Sequence, residues 1–160
     1  MRSASSRRIT IAVFISALTM AGCGDPTTPL EIEDVVGMYV LQRVGNEPIP
    51  AVVHVDNGET ITILADTIHL RADHRGSRSG AEQREDSEDP ERNTVWQIGG
   101  DIVFEIVRDR IEIHVLCPIN ALCTAGPHVI AYRTPSGLRA QRPGRDDPGP
   151  FHYSSTALTP

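Results

Sequence analysis

Residues 67–72 alternate without a break, Thr67, His69 and Arg71 on one side and Ile68, Leu70 and Ala72 on the other. A period of two is what a strand with one wet face requires, and it recurs along the chain. Residues 59–64 set Ile61 and Ile63 against Thr60 and Thr62. In 101–107 Ile102, Phe104 and Ile106 share a face. In 111–116 Ile111, Ile113 and Val115 alternate with Glu112, His114 and Leu116. Turn signals punctuate these runs: Asp56-Asn57-Gly58, Ala65-Asp66, a Gly99-Gly100 hairpin and Arg108-Asp109-Arg110. Further strands are expected at 38–44, 51–55, 94–98 and 129–133, with 138–141 as a last edge strand. Residues 30–35 have room for one helical turn, and no longer helix follows, which argues against α/β enzyme folds. The pattern predicts an all-β chain of about eight short antiparallel strands, a sandwich or a small closed barrel.

Two segments fall outside the alternation. Residues 75–93 carry Gly76, Gly80, Pro90 and a dense mix of Glu, Asp and Arg, with no apolar face. They are expected to form a flexible acidic loop. Residues 142–160 hold Pro143, Pro148, Pro150 and Pro160 and are expected to be a disordered Pro/Gly-rich tail, with Phe151 and Tyr153 able to dock locally.

The amino terminus has a different character. Arg2, Arg7 and Arg8 precede an apolar, uncharged stretch at 9–21, which is followed by Ala21-Gly22-Cys23. A spanning helix needs about 20 apolar residues, so this stretch suits the core of a signal peptide instead. Leu18-Thr19-Met20-Ala21-Gly22-Cys23 resembles the lipobox of bacterial lipoproteins, with Met20 where Leu is commonest. The resemblance implies cleavage after residue 22, lipidation of Cys23, and a membrane anchor holding through more than one acyl chain, each buried methylene contributing about 0.8 kcal/mol. Gly24, rather than Asp, follows the cysteine. In such lipoproteins that implies the outer membrane. The expected organisation is a leader over 1–22, a tether over 23–34, a barrel domain over 35–141 and the tail.

The mature chain contains all 21 acidic residues but twelve of the 15 basic ones, all arginine, a net charge of −9. Nucleic-acid binding rests on neutralising phosphates, so no nucleic-acid partner is expected. With Cys23 acylated, Cys117 and Cys123 remain. In an oxidising exported compartment they are expected to form one disulfide around a short loop. The rival reading joins them to His114 and His128 as a metal site, at a spacing unlike that of a standard finger.

Other residues carry a second resemblance. Val36-Gly37-Met38-Tyr39-Val40-Leu41 with Gly45-Asn46-Glu47-Pro48-Ile49-Pro50, Ile61-Thr62-Ile63-Leu64-Ala65-Asp66-Thr67, Trp96-Gln97-Ile98-Gly99-Gly100-Asp101 and Tyr132-Arg133 are similar to the turns and strands of small lipocalin-like lipoproteins. The likeness spans roughly 35–133. It departs at Gly45-Asn46, the reverse of the family's usual order, and at Thr67, where Gly is common. It implies a barrel and a ligand cup, with no particular substrate.

Catalysis finds no support. There is no Gly-x-Ser-x-Gly, no phosphate-cradling glycine loop before a helix, and no free thiol is expected. The carboxylates of 82–91 lie in the expected loop, and catalytic carboxylates need fixed geometry. His69 and His74 near Asp66 offer metal-ligand chemistry, but a solvent-facing sheet histidine is the commoner situation. No cofactor is expected. Tyr39, Leu41, Ile63, Leu70, Trp96, Phe104 and Ile113 would line a cup if the barrel is hollow. Two functional readings stay open: a lipid-anchored, non-catalytic barrel of the outer membrane that holds a small apolar ligand, and a filled barrel that meets another envelope protein.

Overall fold

The computed structural model describes residues 29–116, 128–143 and 148–156. A short helix, α1 (Ile32–Val35), precedes ten strands: β1 (Gly37–Val44), β2 (Glu47–Pro48), β3 (Ala51–Asp56), β4 (Glu59–Leu70), β5 (Arg75–Asp86), β6 (Thr94–Val107), β7 (Arg110–Val115), β8 (Val129–Thr134), β9 (Gly137–Gln141) and β10 (Phe151–Thr156). One 3-10 turn, Pro90–Arg92, lies between β5 and β6.

Strands β4 to β10 pair in chain order, and β1 pairs antiparallel with both β10 and β4. The sheet therefore closes into an eight-stranded antiparallel barrel, with β2 and β3 added outside the ring on β1 and β4. Closure leaves the ring with no free edge strand. The apolar halves of the alternating runs point inward. Tyr39, Ile68, Leu70, Ile102, Phe104, Ile111, Ile113, Leu138 and Phe151 are all buried. At the lower end α1 caps the bore: Val35 is fully buried, and its carbonyl accepts a 2.8 Å hydrogen bond from the Tyr39 hydroxyl. Arg133 Nε, on β8, holds the Asp34 carbonyl at 2.8 Å.

Four expectations are corrected. Ala65-Asp66 is not a turn. β4 runs unbroken through it, with a register shift between Ile63 and Ala65. A bulge adds one residue and so reverses the alternation. It sets Ile63 before it and Asp66, Ile68 and Leu70 after it all inward. Gly99-Gly100 is likewise no hairpin but the middle of β6. Their φ angles of +141° and +145° are open to glycine alone, and a Cβ on Gly99 would stand 2.1 Å from the Arg78 carbonyl oxygen.

The expected flexible loop 75–93 is, over Arg75–Asp86, a twelve-residue strand paired along its length with β4 and β6. It lacks an apolar face because its inward positions are glycine or charged: Gly76, Arg78, Gly80 and Glu82. Gly76 lies so close to β4 that a Cβ would come within 2.0 Å of the His69 carbonyl oxygen. Residues 151–156 of the expected tail form β10, with Phe151 and Tyr153 in the core, so β9 is not an edge strand.

Candidate functional site

Beyond the ring, β3 and the outer parts of β4, β5 and β6 continue as a four-stranded flap at the end of the barrel opposite α1. Register runs straight across it. Val52, Thr62, Gln83 and Val95 form one row on its outer face, and Ala51, Ile63, Glu82 and Trp96 form the neighbouring row on its inner face. Where the flap meets the ring, the bore holds a cluster of charged groups.

Asp66 is its centre and is 1% exposed. The bulge before it turns the carboxylate inward, and β5 supplies Arg78 alongside. Arg78 Nε donates to Oδ1 at 2.9 Å and its Nη2 to Oδ2 at 2.6 Å, a two-pronged pair. Tyr153, on β10, donates its hydroxyl to Oδ2 at 2.7 Å. Arg142, directly after β9, reaches across the bore: Nη2 lies 3.3 Å from Asp66 Oδ2, and Nη1 lies 3.0 Å from Glu82 Oε1 on β5. Its guanidinium carbon stands 4.6 Å above the centre of the Phe151 ring. Two carboxylates and two guanidiniums balance in charge, which burial at such depth demands.

The electrostatics follow from that packing. Burial works against the Arg78 charge. The hydrogen bonds and negative charge of Asp66, with Tyr153 and Glu82 behind it, more than offset this and raise its pKa. Burial, helped by the Asp66 charge, pushes the Tyr153 phenol well above its ordinary value. The Nε of Arg142 is buried with no hydrogen-bond partner. The cluster locks the bore and offers no nucleophile or exposed proton donor.

Of the residues expected to line a cup, Tyr39, Leu41, Ile63, Leu70, Phe104 and Ile113 are brought together, each at most 4% exposed and packed in one core. Trp96 is the exception and is corrected: it sits on the flap, 51% exposed, with the Arg84 guanidinium 5.6 Å from its ring centre. Along the unbroken β6 it has the parity of Phe104, but β6 outruns the ring, so the inner face there is no longer interior. Arg84 also pairs with Glu59 across the flap.

Cys23, Cys117 and Cys123 lie outside the described residues. Asp66 is turned away from the histidines near it in sequence. His74 adopts a positive φ in the β4–β5 hairpin, its ring centre 5.5 Å from that of Phe104. The Nδ1 of His128 accepts the Val115 backbone amide at 3.2 Å. Among the described residues no three His, Cys, Asp or Glu side chains gather in a way that would hold a metal.

The Asp66 cluster was not foreseen. One signal for it was present: Asp66 has the same parity as Ile68 and Leu70, so any strand that buries those two buries Asp66 as well. No family model, curated protein or solved structure matches the chain.

Proposed function

We propose that the protein is an exported, lipid-anchored envelope protein whose barrel is a filled, non-catalytic scaffold that presents its flap to a protein partner. The observation that carries this reading is the occupied bore. Six side chains expected to line a cup are core, and the Asp66 cluster lies across the end through which a ligand would enter. A buried ion cluster of this kind is weak support for stability, and its value lies in fixing one arrangement. The anchor rests on the leader and on Cys23. It also accords with the geometry, because α1 lies at the end opposite the flap. A lipid on Cys23, nine residues before α1, would tether the chain from the end of the barrel opposite the flap. On the outer face of the flap Val52, Val55 and Val95 are each more than half exposed, and exposed apolar side chains gathered on one surface mark sites of association.

The rival ligand-holding reading keeps one observation. Ile61, Ile98 and Trp96 share the inner face of the flap, where an apolar molecule would rest on the cluster rather than enter the bore.

Three measurements test the proposal. Cys23→Ser should move the protein from the membrane to the soluble fraction; unchanged membrane association would refute the anchor. A photo-cross-linker at Val52 or Val95 in the intact envelope should give one discrete adduct that is absent when it stands at Glu105 on the ring wall. Equal labelling at all three would refute the flap as interface. Native mass spectrometry should give the mass of the lipidated chain alone, whereas a bound organic species would favour the ligand reading.

A further inference from the structure

The outer wall opposite β6 in the ring is built differently from the rest of the surface. On β10, His152 points outward. Its register partners are Arg43 on β1 and Arg139 on β9, so three adjacent strands place a guanidinium, an imidazole and a guanidinium in one row. Both arginines are exposed. Among the described residues neither has an ion pair, whereas Arg71, Arg78, Arg84, Arg92, Arg110 and Arg142 have acidic partners; Arg75, Arg108 and Arg133 also have none, but they are not joined in one cross-strand row as Arg43 and Arg139 are. In a chain with 21 acidic residues against 15 basic ones, two neighbouring unpaired arginines are a marked local reversal of charge.

The same wall is concave. A groove of about 170 Å³ runs along β10, bordered by Gln42, Arg43, Thr134, Ser136, His152 and Ser154. These side chains offer amide, guanidinium, hydroxyl and imidazole donors, and no carboxylate. The register shift between Leu41 and Arg43 makes Gln42 the extra residue that brings Arg43 opposite His152.

We propose that this groove is an oxyanion site, in which Arg43 and His152 of its lining hold a phosphate- or sulfate-type group, with the hydroxyls of Ser136 and Ser154 as further donors and Arg139, beside His152 in the same row but outside the lining, adding positive charge at the rim. A guanidinium suits the oxygen geometry of such groups. Among the described residues, the charged groups that act on His152 are Arg43 from β1 and Arg139 from β9. Partial burial and these two cations depress its pKa. A bound anion reverses that local field, so His152 takes up its proton more readily when the site is filled. The site stands apart from the flap and does not depend on the reading given above.

The test is a sulfate titration of the full-length protein in neutral detergent micelles, with chloride holding ionic strength constant. The imidazole signals of His152 are followed by NMR, assigned with His152→Gln. Saturation is expected, with the His152 midpoint rising by about one pH unit or more. In the double variant Arg43→Gln, Arg139→Gln the affinity should fall about tenfold or more, and since both side chains are exposed the fold should be unaffected. A shift that never saturates, or one unchanged in the double variant, overturns the site. Micelles doped with phosphatidylglycerol then separate the two sources. Displacement of sulfate by the doped lipid identifies a headgroup site, and retention of sulfate identifies a soluble phosphate or sulfate ester.

Discussion

The Tyr153 hydroxyl donates a 2.7 Å hydrogen bond to Asp66 across 87 residues of sequence, with both side chains buried. β10 and β4 are not neighbours in the ring, since β1 stands between them, so the bond crosses the interior and braces the closure. It also makes the last described strand a partner of the central carboxylate.

Removing that brace should be measurable. Tyr153→Phe leaves Asp66 with its two arginines but removes a donor to a charged group, and should cost about 1.5–3 kcal/mol. Asp66→Asn leaves two buried guanidiniums without their shared counter-charge and should cost more, about 3–5 kcal/mol. Urea unfolding of both variants tests the order. Equal and negligible losses would mean that the cluster is solvated in solution.

Phe104 and Trp96 share a face of β6 but not an environment. Phe104→Ala opens a cavity in the packed core and should cost about 3–5 kcal/mol. Trp96→Ala, on the half-exposed flap, should fall within about 1 kcal/mol of the parent. A large loss at Trp96 would place it in a packed interior, as the alternation alone suggested.

β5 should behave as a strand despite its composition. Backbone amides between Ser77 and Arg84, hydrogen-bonded on both sides to β4 and β6, should exchange with solvent far more slowly than those of the turn at Ser87 and Glu88, and protease should spare them. Rapid exchange throughout 75–86 would restore the flexible-loop reading.

Stability should fall in strong alkali. Burial raises the phenol pKa of Tyr153, with Asp66 adding to it, and burial raises that of Tyr39, against a smaller opposing effect of Arg133. A phenol with a raised pKa in the folded state favours the fold while neutral. Its contribution is complete below the unfolded value, about pH 10, and is lost as pH rises from there toward the folded value. Above pH 10 Tyr153 should remove about 1.4 kcal/mol per pH unit until its folded value is reached, and Tyr39 adds a loss of the same sign. Tyr153→Phe should therefore show a shallower alkaline decline than the parent. Identical slopes would mean that Tyr153 titrates freely in the folded protein.

The sequence by itself determined the class of fold, because period-2 alternation in β1, β4, β6 and β7 is a local property, visible wherever one face of a strand is apolar and the other wet. It likewise marked Tyr39, Leu41, Ile63, Leu70, Phe104 and Ile113 as interior, since those side chains have nowhere else to go. Only the tertiary structure decided what depends on closure. β5 can dispense with an apolar face because Arg78 and Glu82 are neutralised by Asp66 on β4 and by Arg142 after β9, and Arg142 lies 60 residues from Glu82 along the chain. The parity of Asp66 hinted at burial, but its acceptability rests on charges and a phenol brought from β5, from β10 and from the residue after β9. Trp96 shows the converse: its face was legible, but whether that face is core or surface depends on how far β6 extends past its neighbour β7. β10 lay hidden among prolines because its pairing with β1 joins the two ends of the domain, a contact that exists only once the ring is closed.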